Sequence, residues 1–312
     1  MDLITSVFMI FMLPICAGTT GQHRRQLTDE FHVHRNFHSK FLSRDRDVVV
    51  WLPPGYDSQP ARRYPVFYML DGGDVFVSWR IDEIAKPLIT SAQIEPLIII
   101  MISNNGSQDD RIDEYGPTRP PGSRHGGQAD SFGRMLVEEL KPFIDAEYRT
   151  LTDPGNTGLG GFSLGGLASL YLGLKHATVF GKVAAVSPTV RWDNKLIVRS
   201  VKALDRKPNT RIWLDIGTGE EGSVSDVRDL RDALVKKGWV VNSDLMYFED
   251  KGGTHDYKSF VRRAAPILQY LFPARVEPAT AAIQLIVKIT ISGVTPKRTG
   301  KMLVPIPVVT NR

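Results

Sequence analysis

An α/β fold with a mostly parallel central sheet and helices on both faces is predicted by three observations. Strand-like apolar runs alternate with segments of helical periodicity along the chain, and alternating units of this kind build a parallel sheet flanked by helices. The stretch Gly160-Gly161-Phe162-Ser163-Leu164-Gly165-Gly166 joins a buried strand to a helix through a tight turn. Between Ser103 and Asp130 the chain is polar and rich in glycine and proline, as a long loop at the carboxyl edge of such a sheet would be.

The elements follow in order. Asp45 to Leu52, Val66 to Leu70 and Leu97 to Ile102 read as early strands. Phe132 to Phe143 reads as an amphipathic helix with Leu136, Leu140 and Phe143 on one face. Thr157-Gly158-Leu159 is a short buried strand, and Leu167, Leu170, Tyr171 and Leu174 recur at helical spacing after Ser163. Arg211 to Thr218 reads as a further buried strand, followed by a helix that Asp226 begins as its cap. Asp244 to Phe248 is strand-like, and a last helix begins near Tyr257. No internal repeat is present.

The glycine-rich turn carries the chemistry. In G-x-S-x-G the serine occupies a strained elbow, and glycines two residues to either side, here Gly161 and Gly165, let strand and helix pass closely. This predicts Ser163 as a nucleophile, which needs a histidine base and an acid after it in sequence. Only His176 and His255 lie downstream. His176 falls in the helix launched by the elbow, where it caps or faces solvent. His255 follows Gly252-Gly253-Thr254 in a loop that can swing an imidazole over the strand ends, so His255 is the expected base. For the acid, Glu220 ranks first because it stands just past the end of a core strand, Asp226 second and Glu221 third. Asp215 lies inside the strand, upstream of where a triad acid belongs.

These residues and several separated blocks resemble the putative-esterase family of α/β-hydrolases, which includes enterochelin esterases, S-formylglutathione hydrolases, feruloyl esterases and mycolyltransferases. The blocks are Val50-Trp51-Leu52-Pro53-Pro54-Gly55-Tyr56, Tyr64-Pro65-Val66 leading to Leu70-Asp71-Gly72-Gly73, Arg111 with Glu114-Tyr115, Tyr148-Arg149-Thr150, the elbow, Ser187-Pro188 and the histidine loop, spanning Phe41 to Phe272. The resemblance implies an α/β-hydrolase fold and a serine carboxylic-ester hydrolase working through an acyl-enzyme on a small-molecule ester. Siderophore esters and feruloyl or acetyl sugar esters are the implied substrates. It places the acid in a G-T-x-D/E pattern, here Gly217-Thr218-Gly219-Glu220, and an oxyanion hole at the backbone N–H groups of Gly73 and Leu164. The chain departs from the family where an Asn-Glu pair and a tryptophan usually follow the histidine, since it carries Asp256-Tyr257-Lys258-Ser259-Phe260. Asp256 is too close to His255 in sequence to orient it. The rival functions are an acyltransferase with the same triad and a catalytically idle binding homologue.

Other residues carry two readings each. Arg111 and Glu114 bind an acidic substrate group or brace one another, the family pattern favouring the structural role. Trp192 lines an acyl or aromatic pocket or is a buried aromatic. His32 and His34, two apart on a strand, face one metal or are plain surface histidines; without a third ligand the latter reading is favoured. No phosphate loop or dinucleotide fingerprint occurs, so no cofactor is expected.

Of the 312 residues, 42% are hydrophobic and 9% aromatic, an ordinary globular composition. The formal net charge of +5 arises entirely after residue 273, where six basic residues stand against Glu277 alone; the rest balances 33 basic against 33 acidic residues. An electrostatic motive for nucleic-acid binding is therefore absent from the body of the chain. Residues 274–312 form a basic tail read as a poorly ordered extension, an added edge strand at Ile283 to Ile291, or a non-native translated end. Residues 41–273 are the expected esterase domain, 19–40 a lead segment and 1–18 a signal peptide. Leu3 to Ile15 is apolar, too short for a comfortable membrane span, and ends at Cys16-Ala17-Gly18; its n-region departs from the usual pattern in carrying Asp2 and no basic residue. Cleavage would leave a secreted or periplasmic enzyme without stable membrane association. Cys16 is the only cysteine, so that enzyme would have no disulfide and no thiolate nucleophile.

N-terminal sequencing of exported protein is expected to show cleavage near Ala17 or Gly18. An intact Met1 on an exported chain would make the run an anchor instead.

Overall fold

The computed structural model describes residues 28–104 and 107–275. Its sheet opens with β1 (Phe31–Phe37), β2 (Arg46–Trp51), β3 (Val66–Met69) and β4 (Ile98–Ile102). The last three are apolar almost without interruption, as strands covered on both faces must be. Successive side chains point to opposite faces. Val48, Val50, Tyr68, Ile98, Ile100 and Ile102 therefore join one core, and Val49, Trp51, Phe67, Met69, Ile99 and Met101 join the other.

The remaining strands are β5 (Thr157–Phe162), β6 (Lys182–Val186), β7 (Arg211–Gly217) and β8 (Leu245–Asp250), giving the order β1-β2-β4-β3-β5-β6-β7-β8. The β1–β2 and β2–β4 pairs are antiparallel and all others parallel. The helices are α1 (Gly72–Asp74), α2 (Ile81–Thr90), α3 (Gln108–Tyr115), α4 (Ala129–Arg134), α5 (Lys141–Glu147), α6 (Leu164–Lys175), α7 (Trp192–Ala203), α8 (Val224–Lys237) and α9 (Tyr257–Leu271). Apolar residues of α4 to α8, such as Phe132, Ile144, Leu167, Ile197 and Leu230, fill the first core; Ala85 of α2 and Phe260, Ile267 and Leu271 of α9 fill the second.

Two elements differ from the sequence reading. The segment from 103 to 130 is not loop throughout, because α3 lies within it, begun by Ser107, whose hydroxyl accepts the Asp110 N–H at 3.1 Å. The helix expected over Phe132 to Phe143 runs through α4, a π-helical turn at Met135–Leu140 and α5. The wider turn rotates the buried stripe, so Leu136, Leu140 and Ile144 are fully buried while Phe143 is only partly so. Pro142, which has no N–H to give a helical bond, follows directly after this turn. The expected signal peptide, and the basic tail beyond Arg275, lie outside the described residues; Arg275 itself pairs with Glu95 at 2.6 Å. Among the described residues, no helix is long and apolar enough to cross a membrane.

At the centre of the sheet, β5 and α6 approach so closely that a Cβ built on Gly161 would stand 2.7 Å from the Gly165 backbone. Gly161→Ala is therefore expected to destabilise the protein by about 1–3 kcal/mol, the usual range for overpacking. Urea unfolding measures this, and an unchanged midpoint would show that the close approach can relax.

Candidate active site

Six neighbouring strands, β4, β3, β5, β6, β7 and β8, deliver their carboxyl ends to one edge of the sheet, where ligands of open α/β sheets bind. At the end of β5, Ser163 sits at φ 56°, ψ −121°, the strained elbow that the glycine pattern predicts. A Cβ on Gly165 would meet Asp71 Oδ2 at 2.8 Å, so the second glycine of the motif leaves room for a buried carboxylate as well as for the turn.

Ser163, His255 and Glu220 are brought together. Ser163 Oγ lies 2.9 Å from His255 Nε2, and His255 Nδ1 lies 2.6 Å from Glu220 Oε2. His255 occupies the loop between β8 and α9. Glu220 follows β7 and is buried, its side chain 4% exposed against 47% for the imidazole. Glu220 Oε1 accepts hydrogen bonds from the Ser187 hydroxyl at 2.6 Å and the Gly217 N–H at 3.0 Å. Burial pushes the Glu220 carboxyl up, but the hydrogen bonds from His255 and Ser187 outweigh it and hold the group below its ordinary range.

The other acids go elsewhere. Asp226 is not the cap of α8, a place Ser223 takes; it lies in the first turn and pairs with Lys195 at 2.8 Å and Arg191 at 3.5 Å. Glu221 is exposed at the rim of the cleft. Asp256 caps α9, accepting the Ser259 N–H at 2.9 Å. Asp215 is fully buried behind the site, and burial drives its carboxyl up to about 6 despite the neighbouring Arg263.

Arg111 and Glu114 do not brace one another. The Arg111 guanidinium grips Asp71 at 2.6 and 2.8 Å and reaches the Phe162 carbonyl at 3.4 Å, while Glu114 receives Arg46 at 2.9 and 3.0 Å. Arg111 is thus a buried brace between the β3 end and the β5 end. Trp192 packs its indole on Gly116 and Gly126 and does not line the cleft beside Ser163. His32 and His34 share the Tyr148 hydroxyl, at 3.2 and 2.7 Å, and His176 ends α6 as its C-cap residue.

Beside Ser163 lies a cleft of about 410 Å³, lined on its far side by Pro188, Thr189, Val190 and Arg191 and closed by Glu221 and Asp226. Thr189 Oγ1 is 3.5 Å from Ser163 Oγ. Sequence reasoning gave no role to Thr189, Ser187 or Arg263. Ser187-Pro188 stood out as a block, and a charged residue inside the apolar stretch Ile212-Trp213-Leu214-Asp215-Ile216 was the signal for a buried partner.

The two buried carboxyls should titrate with opposite signs. The ionised form of Glu220 is favoured by folding, so its stabilisation is complete above pH 4.5 and is lost as pH falls through the lower folded value. Ionisation of Asp215 instead costs stability as pH rises from 3.8 through about 6. Urea midpoints should show the stability advantage of wild type over Glu220→Gln growing from pH 3 to pH 6, and that over Asp215→Asn shrinking. Parallel trends would refute the assignment of opposite shifts.

Residues 39–271 match the model of the family described as putative esterase. The chain is similar to the ferri-bacillibactin esterase BesA of Bacillus subtilis, 28% identical over 56% of this chain and 66% of that protein. It is also 24% identical to an endo-1,4-beta-xylanase/feruloyl esterase of Xylanibacter ruminicola, over 76% of this chain but only 30% of that larger protein. Among solved structures, the BES protein from Bacillus cereus matches with a TM-score of 0.66 at 23% identity, covering 81% of this chain and 99% of that one, which supports the fold. A family match over this span makes the chain a member of the putative-esterase family, an α/β-hydrolase and a carboxylic-ester hydrolase.

Proposed function

We propose that the chain hydrolyses a small-molecule carboxylic ester through an acyl-enzyme formed on Ser163. The observation that carries this reading is the continuous relay Ser163 Oγ, His255 Nε2, His255 Nδ1, Glu220 Oε2, with spacings of 2.9 and 2.6 Å, at a strained elbow. Ser163 Oγ attacks the ester carbonyl carbon while His255 Nε2 takes its proton. Glu220 orients the imidazole and stabilises the imidazolium. The tetrahedral intermediate collapses by breaking the C–O bond to the alcohol, which leaves with the proton from His255. Water then attacks the acyl-serine by the same route, releasing the acid and restoring Ser163.

The negative oxygen of the intermediate needs fixed donors. Leu164 opens α6, so its N–H has no partner within its own helix. Gly73 lies in the turn α1, just after the left-handed Asp71, and the space beside it is open. These two N–H groups are the proposed oxyanion hole.

The charges at the cleft bear on the substrate. Glu221 and Asp226 bring carboxylates to its rim, and Asp226 engages both Arg191 and Lys195. Arg191 and Lys195 are balanced by Asp226 and Asp229, so Glu221 leaves the rim with one excess negative charge, which favours a neutral feruloyl or acetyl sugar ester over a polyanionic siderophore. The proposed catalytic unit is residues 41–273, with β1 of the lead segment adding an edge strand, and the proposed location is secreted or periplasmic.

Fluorophosphonate labelling at Ser163, abolished in Ser163→Ala, tests the nucleophile, and turnover of a p-nitrophenyl ester should fall by roughly a million-fold in that variant. Retention of a tenth of wild-type turnover would exclude the assignment. Glu220→Gln is expected to lower kcat about ten-thousand-fold with little change in KM. Asp226→Asn should keep near-normal activity and lose at most about 1 kcal/mol of stability, as removal of a partly exposed ion pair does. An inactive Asp226→Asn beside an active Glu220→Gln would redraw the triad. A substrate panel should rank neutral feruloyl and acetyl sugar esters above a tri-catecholate siderophore ester; the reverse order would overturn the charge argument.

A further inference from the structure

Behind the triad lies a chain of buried polar groups that touches no reacting atom. Arg263 on α9, Asp215 on β7 and Ser187 just past β6 are 1%, 0% and 2% exposed. Arg263 Nη1 lies 2.9 Å from Ser187 Oγ and 2.5 Å from Asp215 Oδ1. The Ser187 N–H donates to Asp215 Oδ1 at 2.9 Å, and the Trp213 Nε1–H donates to Asp215 Oδ2 at 2.6 Å. Asp250, at the end of β8, faces Arg263 Nε at 3.7 Å. Arg263 Nη2 stands 3.9 Å from Glu220 Oε1.

The direction of each hydrogen bond in this chain is forced. A guanidinium only donates, so Ser187 Oγ must accept from Arg263. A hydroxyl has one proton, and the proton of Ser187 is then left for Glu220 Oε1, 2.6 Å away. That oxygen also receives the Gly217 N–H. Both donors favour the ionised form of Glu220, which can only accept, and its Oε2 then requires a proton on His255 Nδ1. Nε2 is left with a lone pair facing Ser163 Oγ, the form a general base must have.

We propose that Arg263, acting through Ser187, is a positioning residue that fixes the direction of this hydrogen-bond chain and so selects the His255 tautomer that can activate Ser163. The inference rests on the esterase reading of the same site. It adds a reason for a buried charge pair that would otherwise weigh against stability, since desolvating two ions costs more than their attraction commonly returns. It also accounts for the backbone of Ser187, held at φ 39°. A left-handed conformation there is unfavourable for serine, and the hydroxyl it presents to Glu220 is the compensating contact.

Nitrogen NMR of the enzyme with labelled histidine reads the tautomer without any substrate. Wild type is expected to carry the His255 proton on Nδ1 at neutral pH. Ser187→Gly suits the left-handed backbone and removes only the relay; it should give a mixed tautomer and lower kcat about ten- to a hundred-fold, as loss of one buried charge-assisted hydrogen bond does, with KM nearly unchanged. Arg263→Met leaves Asp215 without its cation and takes a positive charge from beside Glu220, while Asp250 keeps Arg262 at 3.1 Å and Glu220 keeps His255; the acid limb of kcat/KM should therefore move to higher pH, whereas Arg263→Lys keeps the charge and the limb in place. The proposal is overturned if Ser187→Gly keeps wild-type kcat and an Nδ1 proton, or if Arg263→Met and Arg263→Lys lose activity equally with an unshifted limb. Wild-type protein that neither turns over esters nor reacts at Ser163 would sink the esterase reading, while the tautomer measurement would still decide this one.

Discussion

The close passage of β5 and α6 at Gly161 and Gly165 is the constraint on which the rest of the site depends. It forces Ser163 into its positive-φ elbow, and the space left by the missing Cβ of Gly165 holds the Asp71 carboxylate. Asp71 is left-handed at φ 57°, which turns the chain after β3 into α1 and brings Gly73 round beside the elbow. Arg111 then clamps Asp71, and Asn104 adds a donor at 3.3 Å. One glycine thus ties the geometry of the proposed nucleophile to that of the loop carrying a proposed oxyanion donor. Any side chain there would move both at once.

On the other side of the nucleophile, order comes from charge rather than from close packing. Asp215 and Arg263 are buried between β7 and α9, where each alone would be an uncompensated ion costing several kcal/mol. Together with Ser187 they close a polar network whose open end is Glu220. Low dielectric strengthens every link in such a network and makes a broken link costly. The carboxylate is therefore held in one orientation by Ser187, just past β6, and the Gly217 N–H at the end of β7, while the His255 loop contributes a single hydrogen bond to it.

The fold class and the serine, histidine and first-ranked acid residues were legible because each rests on local pattern. Apolar runs mark strands covered on both sides, Gly161 and Gly165 mark the close crossing, and Glu220 stands in the loop after one such strand. What escaped depends on contacts between residues far apart in sequence. Sequence spacing offers Arg111 a brace in Glu114, three residues on, as neighbours on a helix are; in space it turns to Asp71, forty residues earlier, because the β3 end lies beneath it. Arg263 was invisible for the same reason, its partners being Ser187 and Asp215. The shift of the buried stripe from Phe143 to Ile144 follows from a π turn, which a period of 3.6 does not anticipate. Asp226 was read as a cap because aspartate favours that place, yet the helix starts two residues earlier.

The burial of the proposed triad is asymmetric, and this bears on which acceptor the proposed acyl-enzyme would meet. Glu220 is sealed from solvent, which keeps the charge that steadies the imidazolium free of competing water. His255 is about half open, as is the loop of Gly252 to Asp256 that carries it, apart from the buried Gly253. A transferase needs to shield its acyl-serine from water until a second substrate arrives. On the proposed mechanism, an imidazole open to solvent can activate water from the bulk directly, and the acyl-serine would be hydrolysed before a dilute alcohol could compete. The exposure of His255 among the described residues thus favours, on the proposed mechanism, hydrolysis as the fate of the acyl group.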